Sequence, residues 1–362
     1  MNITVKETKI ICSNPSNPAN GYFAWPSVAR LQDGRLAMVA SGFRLRHICP
    51  FGKVVLCLSD DEGESWSRPA VVLDTPLDDR DAGILPFGEK SLLVTSFNNS
   101  REAQRHYNHN GYWETSERNS AHHPYVDGYL DSPEVEGAEE TYLGSTLVIS
   151  RDGGKTFGEV LRVPVTSPHG PTLTREGDIL YVGRYFGEPE TPDRHLAAYR
   201  IHPDGRYEKL GEIEDVPELD SHEPHAVVLP DGKILVHIRV QGNGYFTVYQ
   251  TESTDGGKTF TKPRQLLSDN GGSPAHLLVL RDGTLVSTYG YRQPPYGIKA
   301  MVSHDGGATW DVDHELYVNG VHHDLGYPAS VELKNGDILT VFYAREQDSA
   351  PAVILQTVWR LE

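Results

Sequence analysis

A short unit recurs six times along the chain: an apolar strand, a tight turn with glycine, and a second apolar strand. The copies centre on Gly34, Gly88, Gly177, Gly232, Gly283 and Gly336, at intervals of 54, 89, 55, 51 and 53 residues. Asp33-Gly34, Asp231-Gly232, Asp282-Gly283 and Asn335-Gly336 suit hairpin turns, because these residues tolerate positive φ. Only the second interval is anomalous, and it holds one long insertion, from about Asn98 to Tyr142. A second pattern, S-x-D-x-G-x-[ST]-[WF], trails the first. It occurs at Ser59–Trp66, Ser150–Phe157, Ser253–Phe260 and Ser303–Trp310, with a remnant at His202-Pro203-Asp204-Gly205. Its aspartates read as turn-formers whose carboxylates accept turn N–H bonds, and its aromatic residue as an apolar plug.

Each period therefore holds two hairpins, about four strands. Repeats of this length mark a radial or stacked array rather than independent domains. The expected fold is all-β, a six-bladed β-propeller with Asp-box turns, spanning residues 1–362 as one domain. Closure of the ring needs strands from both termini. Ala352–Val358 and the segments Ile3–Val5 and Ile10–Ile11 supply them, which removes exposed sheet edges.

Charge and cysteine usage narrow the function. A net charge of −17 argues against nucleic acid or an anionic membrane surface as the main partner. No run approaches the roughly 18 apolar residues of a membrane span. Met1–Glu7 has neither a basic nor an apolar leader region, so a cytoplasmic protein is expected. Cys12, Cys49 and Cys57 are odd in number and lack metal-ligand spacing. They read as free thiols. No H-E-x-x-H spacing exists, so neither a metal nor an organic cofactor is expected.

If all glycine turns point to one face, the other face carries the starts of first strands and the ends of second strands. The starts offer Trp25, Asp78-Asp79-Arg80-Asp81, His169, His222-Glu223, Ser273 with His276, and Tyr327. The ends offer Arg44, Arg46 and His47, then Asn98-Asn99, Arg184, Arg239, Arg292 and Arg345. Arginines converging on an axis in an acidic protein suggest an anion site, because guanidinium grips carboxylate bidentately. Structural pairing with Asp79, Asp81, Glu223 or Glu346 is the alternative. Glu223 and Tyr327 share a register, and a carboxylate beside a tyrosine can take its proton. His225 and His276 lie further down their strands and read equally well as core. The insertion carries Arg105–His109, Tyr112-Trp113 and His122–Tyr125, which suggests a rim over the site or a subunit contact.

These motifs resemble the sialidase (neuraminidase) superfamily. The four boxes match its Asp-box, or bacterial neuraminidase repeat, which in that family lies on the face opposite the active site. The resemblance implies a nucleophilic tyrosine paired with a glutamate, an aspartate acid/base, and three arginines gripping a sugar carboxylate. Glu223 resembles the glutamate, Tyr327 the nucleophile, and Arg239 and Arg292 two of the arginines. Two departures stand out. The family's first-blade Arg-Ile-Pro is Ala24-Trp25-Pro26 here. The loop Leu45–Phe51 lacks the expected aspartate, which leaves Asp79, Asp81 and His47 as candidate acids. Arg44, Arg184, Arg345, Trp25, His169 and His222 complete the candidate substrate-binding set.

The reading is a sialidase-like glycoside hydrolase acting on a terminal acidic sugar. The alternatives are another acidic-glycan enzyme on this scaffold, such as a uronate lyase, or a non-catalytic glycan-binding propeller. The sequence leaves the oligomeric state open.

Overall fold

The computed structural model describes residues 2–110, 122–185, 195–242, 245–268 and 271–362. Six antiparallel sheets follow one another around a ring, a six-bladed β-propeller. Blade one comprises β2 (Tyr22–Arg30), β3 (Leu36–Arg44), β4 (Lys53–Ser59) and β5 (Ala70–Leu73). Blade two comprises β6 (Arg80–Phe87), β7 (Ser91–Asn98), β8 (Gly144–Ser150) and β9 (Leu161–Val163). In blade three, β10 (Val165–Thr166) and β11 (Thr172–Leu173) both pair with β12 (Ile179–Tyr185), followed by β13 (Leu196–Ile201) and β14 (Tyr207–Ile213). Blade four comprises β15 (Asp220–Val228), β16 (Ile234–Gly242), β17 (Tyr245–Ser253) and β18 (Arg264–Gln265). Blade five comprises β19 (Gly272–Val279), β20 (Leu285–Tyr291), β21 (Tyr296–Ser303) and β22 (Asp311–Gly320).

Blade six joins both ends of the chain. β23 (Gly326–Glu332), β24 (Ile338–Arg345) and β25 (Ala352–Leu361) are completed by β1 (Ile3–Cys12), which pairs with β25 in the order expected for closure. Ring closure thus rests on a full antiparallel ladder, so opening the ring means breaking strand pairing along its length.

The glycine turns behave as their sequence requires. Leu31, Leu229, Leu280 and Leu333 each donate a backbone N–H across the turn, and the glycine N–H returns a bond to the same leucine's carbonyl. Gly34 has φ 92° and Gly232 φ 91°, conformations that a side chain resists. In the boxes, the Asp61 carboxylate accepts Ser65 N–H (2.9 Å) and Ser65 Oγ–H (2.6 Å), while Ser59 Oγ accepts Gly63 N–H (2.9 Å). Asp152, Asp255 and Asp305 repeat the pattern. The plugs bolt each blade to the one before it. Trp66 donates its indole N–H to Gln356 of blade six, and Trp310 to Gln250 of blade four, both at 2.8 Å. Ser59 lies opposite Leu36, beside the Gly34 turn. Boxes and glycine turns therefore share one face, and the other face is left for a site.

The insertion is helical, which its polar and aromatic composition did not announce. α1 (Arg101–Asn110), α2 (His123–Leu130) and α3 (Pro133–Tyr142) rise between β7 and β8. A local signal exists for α3. Ser132 caps its first turn, Pro133 follows at the first helical position, and Glu134 and Glu136 oppose the helix dipole. Val126, Leu130, Val135 and Ala138 form a small core of their own with Leu77, under Phe51 and Tyr129. Tyr112 and Trp113 lie outside the described residues, as does the side chain of Ser273.

Candidate active site

One backbone device builds the site. The innermost strands of blades one, two, four, five and six each slip register near the top: between Ala24 and Ser27, Arg80 and Gly83, His222 and His225, Gly272 and Ala275, and Gly326 and Ala329. At four of these bulges a non-glycine residue adopts positive φ: Trp25 (54°), Asp81 (48°), Glu223 (44°) and Tyr327 (50°). Such conformations are outliers for bulky residues and cost about 1–3 kcal/mol each. A bulge re-aims a side chain that the pleat would send into a blade interface. Proline or alanine follows each one: Pro26, Ala82, Pro224 and Pro328.

A pocket of about 430 Å³ lies over three of these residues, lined by Asp81, Glu223, Tyr327, His47 and four arginines among others. That volume suits a small ligand such as a sugar. Tyr327 donates its hydroxyl to Glu223 Oε1 at 2.6 Å. Arg239 donates from Nη1 to Glu223 Oε2 (2.7 Å) and to the Tyr327 oxygen (3.1 Å). Arg292 lies with its Cζ 5.5 Å from the Tyr327 ring and donates to the Leu325 carbonyl and the Tyr343 hydroxyl.

The titratable groups have separated. Burial pushes Glu223 up, but Arg239, the Tyr327 hydroxyl and Arg292 outweigh it and hold the carboxyl below its ordinary range. Burial, then the neighbouring Glu223 charge, pushes the Tyr327 hydroxyl well up. Asp81 is pushed to about 7 by burial, against the pull of Arg80. Its Oδ1 is buried with no hydrogen-bond partner. One carboxyl held below its ordinary range and another pushed up to about 7 in the same pocket is the arrangement that separates base from acid.

His47 also lines the pocket. Burial pushes it down to about 4, so it is neutral at pH 7. Its Nδ1 meets Asp324 Oδ1 at 2.9 Å. Asp324 is a buried hub that also accepts bonds from the Tyr22 and Tyr343 hydroxyls and from Arg345. Burial would raise the Asp324 carboxyl, but His47 and Arg345 override it and hold it far down.

Other expected residues sit elsewhere. Arg44 is fully buried and bidentate to Asp78 (2.6 and 2.9 Å), so it ties blade one to blade two and does not line the pocket. Arg345 is likewise spent on Asp324 at 2.9 Å. Asp79 accepts Thr75 N–H and Oγ–H and acts as a turn-former behind the wall. Trp25, in place of a first-blade arginine, is buried with Arg44 and Arg80 over its ring at 4.8 and 4.2 Å. His169 lies below the pocket against His225 and His276, whose rings stack at 4.3 Å. Burial drives His169 down to about 3, which makes it a neutral core group. His225 lies on β15, His276 on β19 and His169 in the turn between β10 and β11, and all three are buried.

Arg184 and His222 do line the pocket, in an arc with two residues not anticipated, Asp220 and Gln241. Arg184 pairs with Asp220 at 2.9 Å, Asp220 meets His222 at 2.7 Å, and Gln241 links His222 to Arg239. The signal for both was alternation: Asp220 and Gln241 lie two residues from His222 and Arg239 on their strands, hence on the same face. Arg80, which the sequence put on this face without a role, and Tyr107, part of the expected rim, also line the pocket. The insertion forms part of the rim through Ser100, Ala103, Tyr107 and Leu143. Among the described residues, no group of His, Cys, Asp or Glu is arranged to hold a metal ion, and no helix is long and apolar enough to cross a membrane. The three cysteines are free and buried.

Fold and boxes together define a six-bladed propeller of the BNR-repeat type. The profile of the BNR repeat-like domain matches residues 129–340, and the chain belongs to that family. A sequence comparison with curated proteins gives no match. Among solved structures, a protein of unknown function from Dyadobacter fermentans superposes with a TM-score of 0.76 at 20% identity, over 99% of both chains. The NanB sialidase of Streptococcus pneumoniae gives 0.65 at 13% identity, over 97% of this chain and 70% of that one. The α-L-arabinanase of Penicillium chrysogenum gives 0.63 at 12% identity, over 98% of both. At these identities the likeness is one of fold, and the fold is one that glycoside hydrolases use.

Proposed function

We propose that this protein is a glycoside hydrolase of sialidase type that removes a terminal acidic sugar. The observation that carries the reading is the 2.6 Å bond from the Tyr327 hydroxyl to Glu223, facing a pocket that also holds the raised, unpartnered Asp81. Tyr327 Oη attacks the anomeric carbon while its proton passes to Glu223. Tyr327 resists ionisation at rest, so proton transfer and attack are concerted. Asp81 protonates the departing glycosidic oxygen, then takes a proton from the water that cleaves the tyrosyl intermediate, while Glu223 returns its proton to the departing Tyr327 oxygen. Two displacements retain configuration. Arg239 steadies Glu223, and with Arg292 it faces the sugar's carboxylate.

The test is turnover of fluorogenic sialosides and uronosides by wild type and Tyr327→Phe. Cleavage lost by about 10³-fold or more in the variant supports the nucleophile. Absence of turnover on every acidic glycoside by a folded wild type overturns the reading. A product with a new near-ultraviolet absorption would instead assign elimination, and binding without turnover a glycan-binding role.

A further inference from the structure

Arg80, Arg184, Arg239 and Arg292 all line the pocket. Arg184 faces Asp220 at 2.9 Å and Arg239 faces Glu223 at 2.7 Å. Arg80 differs in its partners: it is 7% exposed, and among the described residues no carboxylate lies within hydrogen-bond distance of it. Its nearest carboxylate, Asp78, is 3.7 Å away. Both Asp78 oxygens are already taken, by Arg44 and by Gln104. What fixes Arg80 is ring stacking: its Cζ lies 4.2 Å from the Trp25 ring centroid and 5.8 Å from that of Phe97. A desolvated guanidinium without a hydrogen-bonded anion is costly, and a ligand's carboxylate would offset that cost.

Its neighbours show where that anion would sit. The Trp25 ring meets His47 at 5.0 Å and Tyr327 at 6.4 Å. Arg80 and Arg292 both act on His47 from the pocket, and Arg292 overlies Tyr327. Resting on the glycosidase reading, we propose that Arg80 binds the substrate's carboxylate together with Arg292, across the wall made by Trp25 and His47. Blade one holds tryptophan where the resembled family has an arginine. Here the tryptophan becomes the platform, and the cation arrives from blade two. Nothing in the hairpin spacing marks this exchange, because Arg80 reads as one more charge in Asp78–Asp81.

The test separates charge from shape. N-acetylneuraminate and D-glucuronate, each alongside its methyl ester, are titrated by calorimetry into wild type, Arg80→Gln and Arg80→Lys. Glutamine keeps a stem on Trp25 but removes the charge. The expected result is that Arg80→Gln weakens binding of an acid by about 10- to 100-fold, with its ester changed by less than about twofold and Arg80→Lys intermediate. Equal loss for acid and ester, or no loss for either, overturns the proposal. If wild type binds neither acid, the acidic-sugar reading falls with it. If acid binding survives in Arg80→Gln while Tyr327→Phe abolishes turnover, only the Arg80 assignment falls. Should Arg80→Gln misfold, the wild-type arginine Nε–H resonances, assigned with Arg80→Lys, carry the same test: that of Arg80 must move with the acid and not with the ester.

Discussion

The two faces of the propeller use aspartate in opposite ways. On the box face, Asp61, Asp152, Asp255 and Asp305 sit in exposed turns with their oxygens filled by serine, threonine and backbone donors. The Ser65 hydroxyl and backbone N–H hold Asp61 down at about 2. On the pocket face, Asp81 is buried at a strained bulge, has one oxygen unpartnered, and is driven up to about 7. The repeated aspartate is satisfied and structural. The singular one has an unsatisfied oxygen and a raised carboxyl. The difference teaches that the motif visible in sequence marks the scaffold, while the unsatisfied carboxyl sits at a strained bulge on the opposite face.

The comparison can be broken most severely at the pocket. Asp81→Asn should cut kcat by about 10²–10⁴-fold on substrates with poor leaving groups and far less on those with good ones. A loss independent of leaving group would remove Asp81 as the acid.

The pH profile comes next. In the proposed mechanism, activity needs Asp81 protonated and Glu223 ionised. It should therefore fall above pH about 7, as Asp81 loses its proton, and fall again below the ordinary carboxylate range as Glu223 gains one. Asp81→Asn should erase the alkaline limb from whatever activity remains. Stability follows with opposite signs on the two faces. Asp81 titrates above its unfolded value of 3.8, so the native state holds more protons there. Its contribution is present below pH about 4 and is lost as pH rises toward 7. Asp61 titrates below the same value, so its contribution is present above pH about 4 and is lost as pH falls toward 2. Denaturant melts of Asp81→Asn at pH 8 should show a gain on the order of 1–3 kcal/mol over wild type.

Box-face changes should leave chemistry alone. Trp66→Ala removes the plug on blade six and should cost about 2–3 kcal/mol in urea melts with kcat unchanged. Smallest of all, Asp61→Ala should lower Tm slightly and leave kcat/KM untouched. A kinetic effect from either variant would mean that the two faces are coupled.

Much of the site was legible because strand alternation and hairpin turns are local. Glu223, Tyr327, Arg239 and Arg292 could be placed at strand tops from the glycine turns alone, and the pocket gathers them. Arg44 and Arg345 had the same placement but turn to Asp78 and Asp324. An arginine side chain is long enough to serve either a pocket or a neighbouring blade, and register cannot choose between them. The helices of the insertion were missed because only α3 carries a clear start signal, while their shared core forms only once Leu77 and Phe51 are brought beneath them.

The sequence by itself determined the architecture: six glycine-turn hairpins, four boxes, and terminal strands able to close the ring. Each of these is a short-range conformational preference, repeated until one arrangement satisfies them all. Tertiary structure alone decided which aspartate stays unpaired, which arginines are spent on partners, and that Trp25 backs Arg80. Those outcomes depend on desolvation and on which charges meet across blades, and both are set by residues distant in the chain.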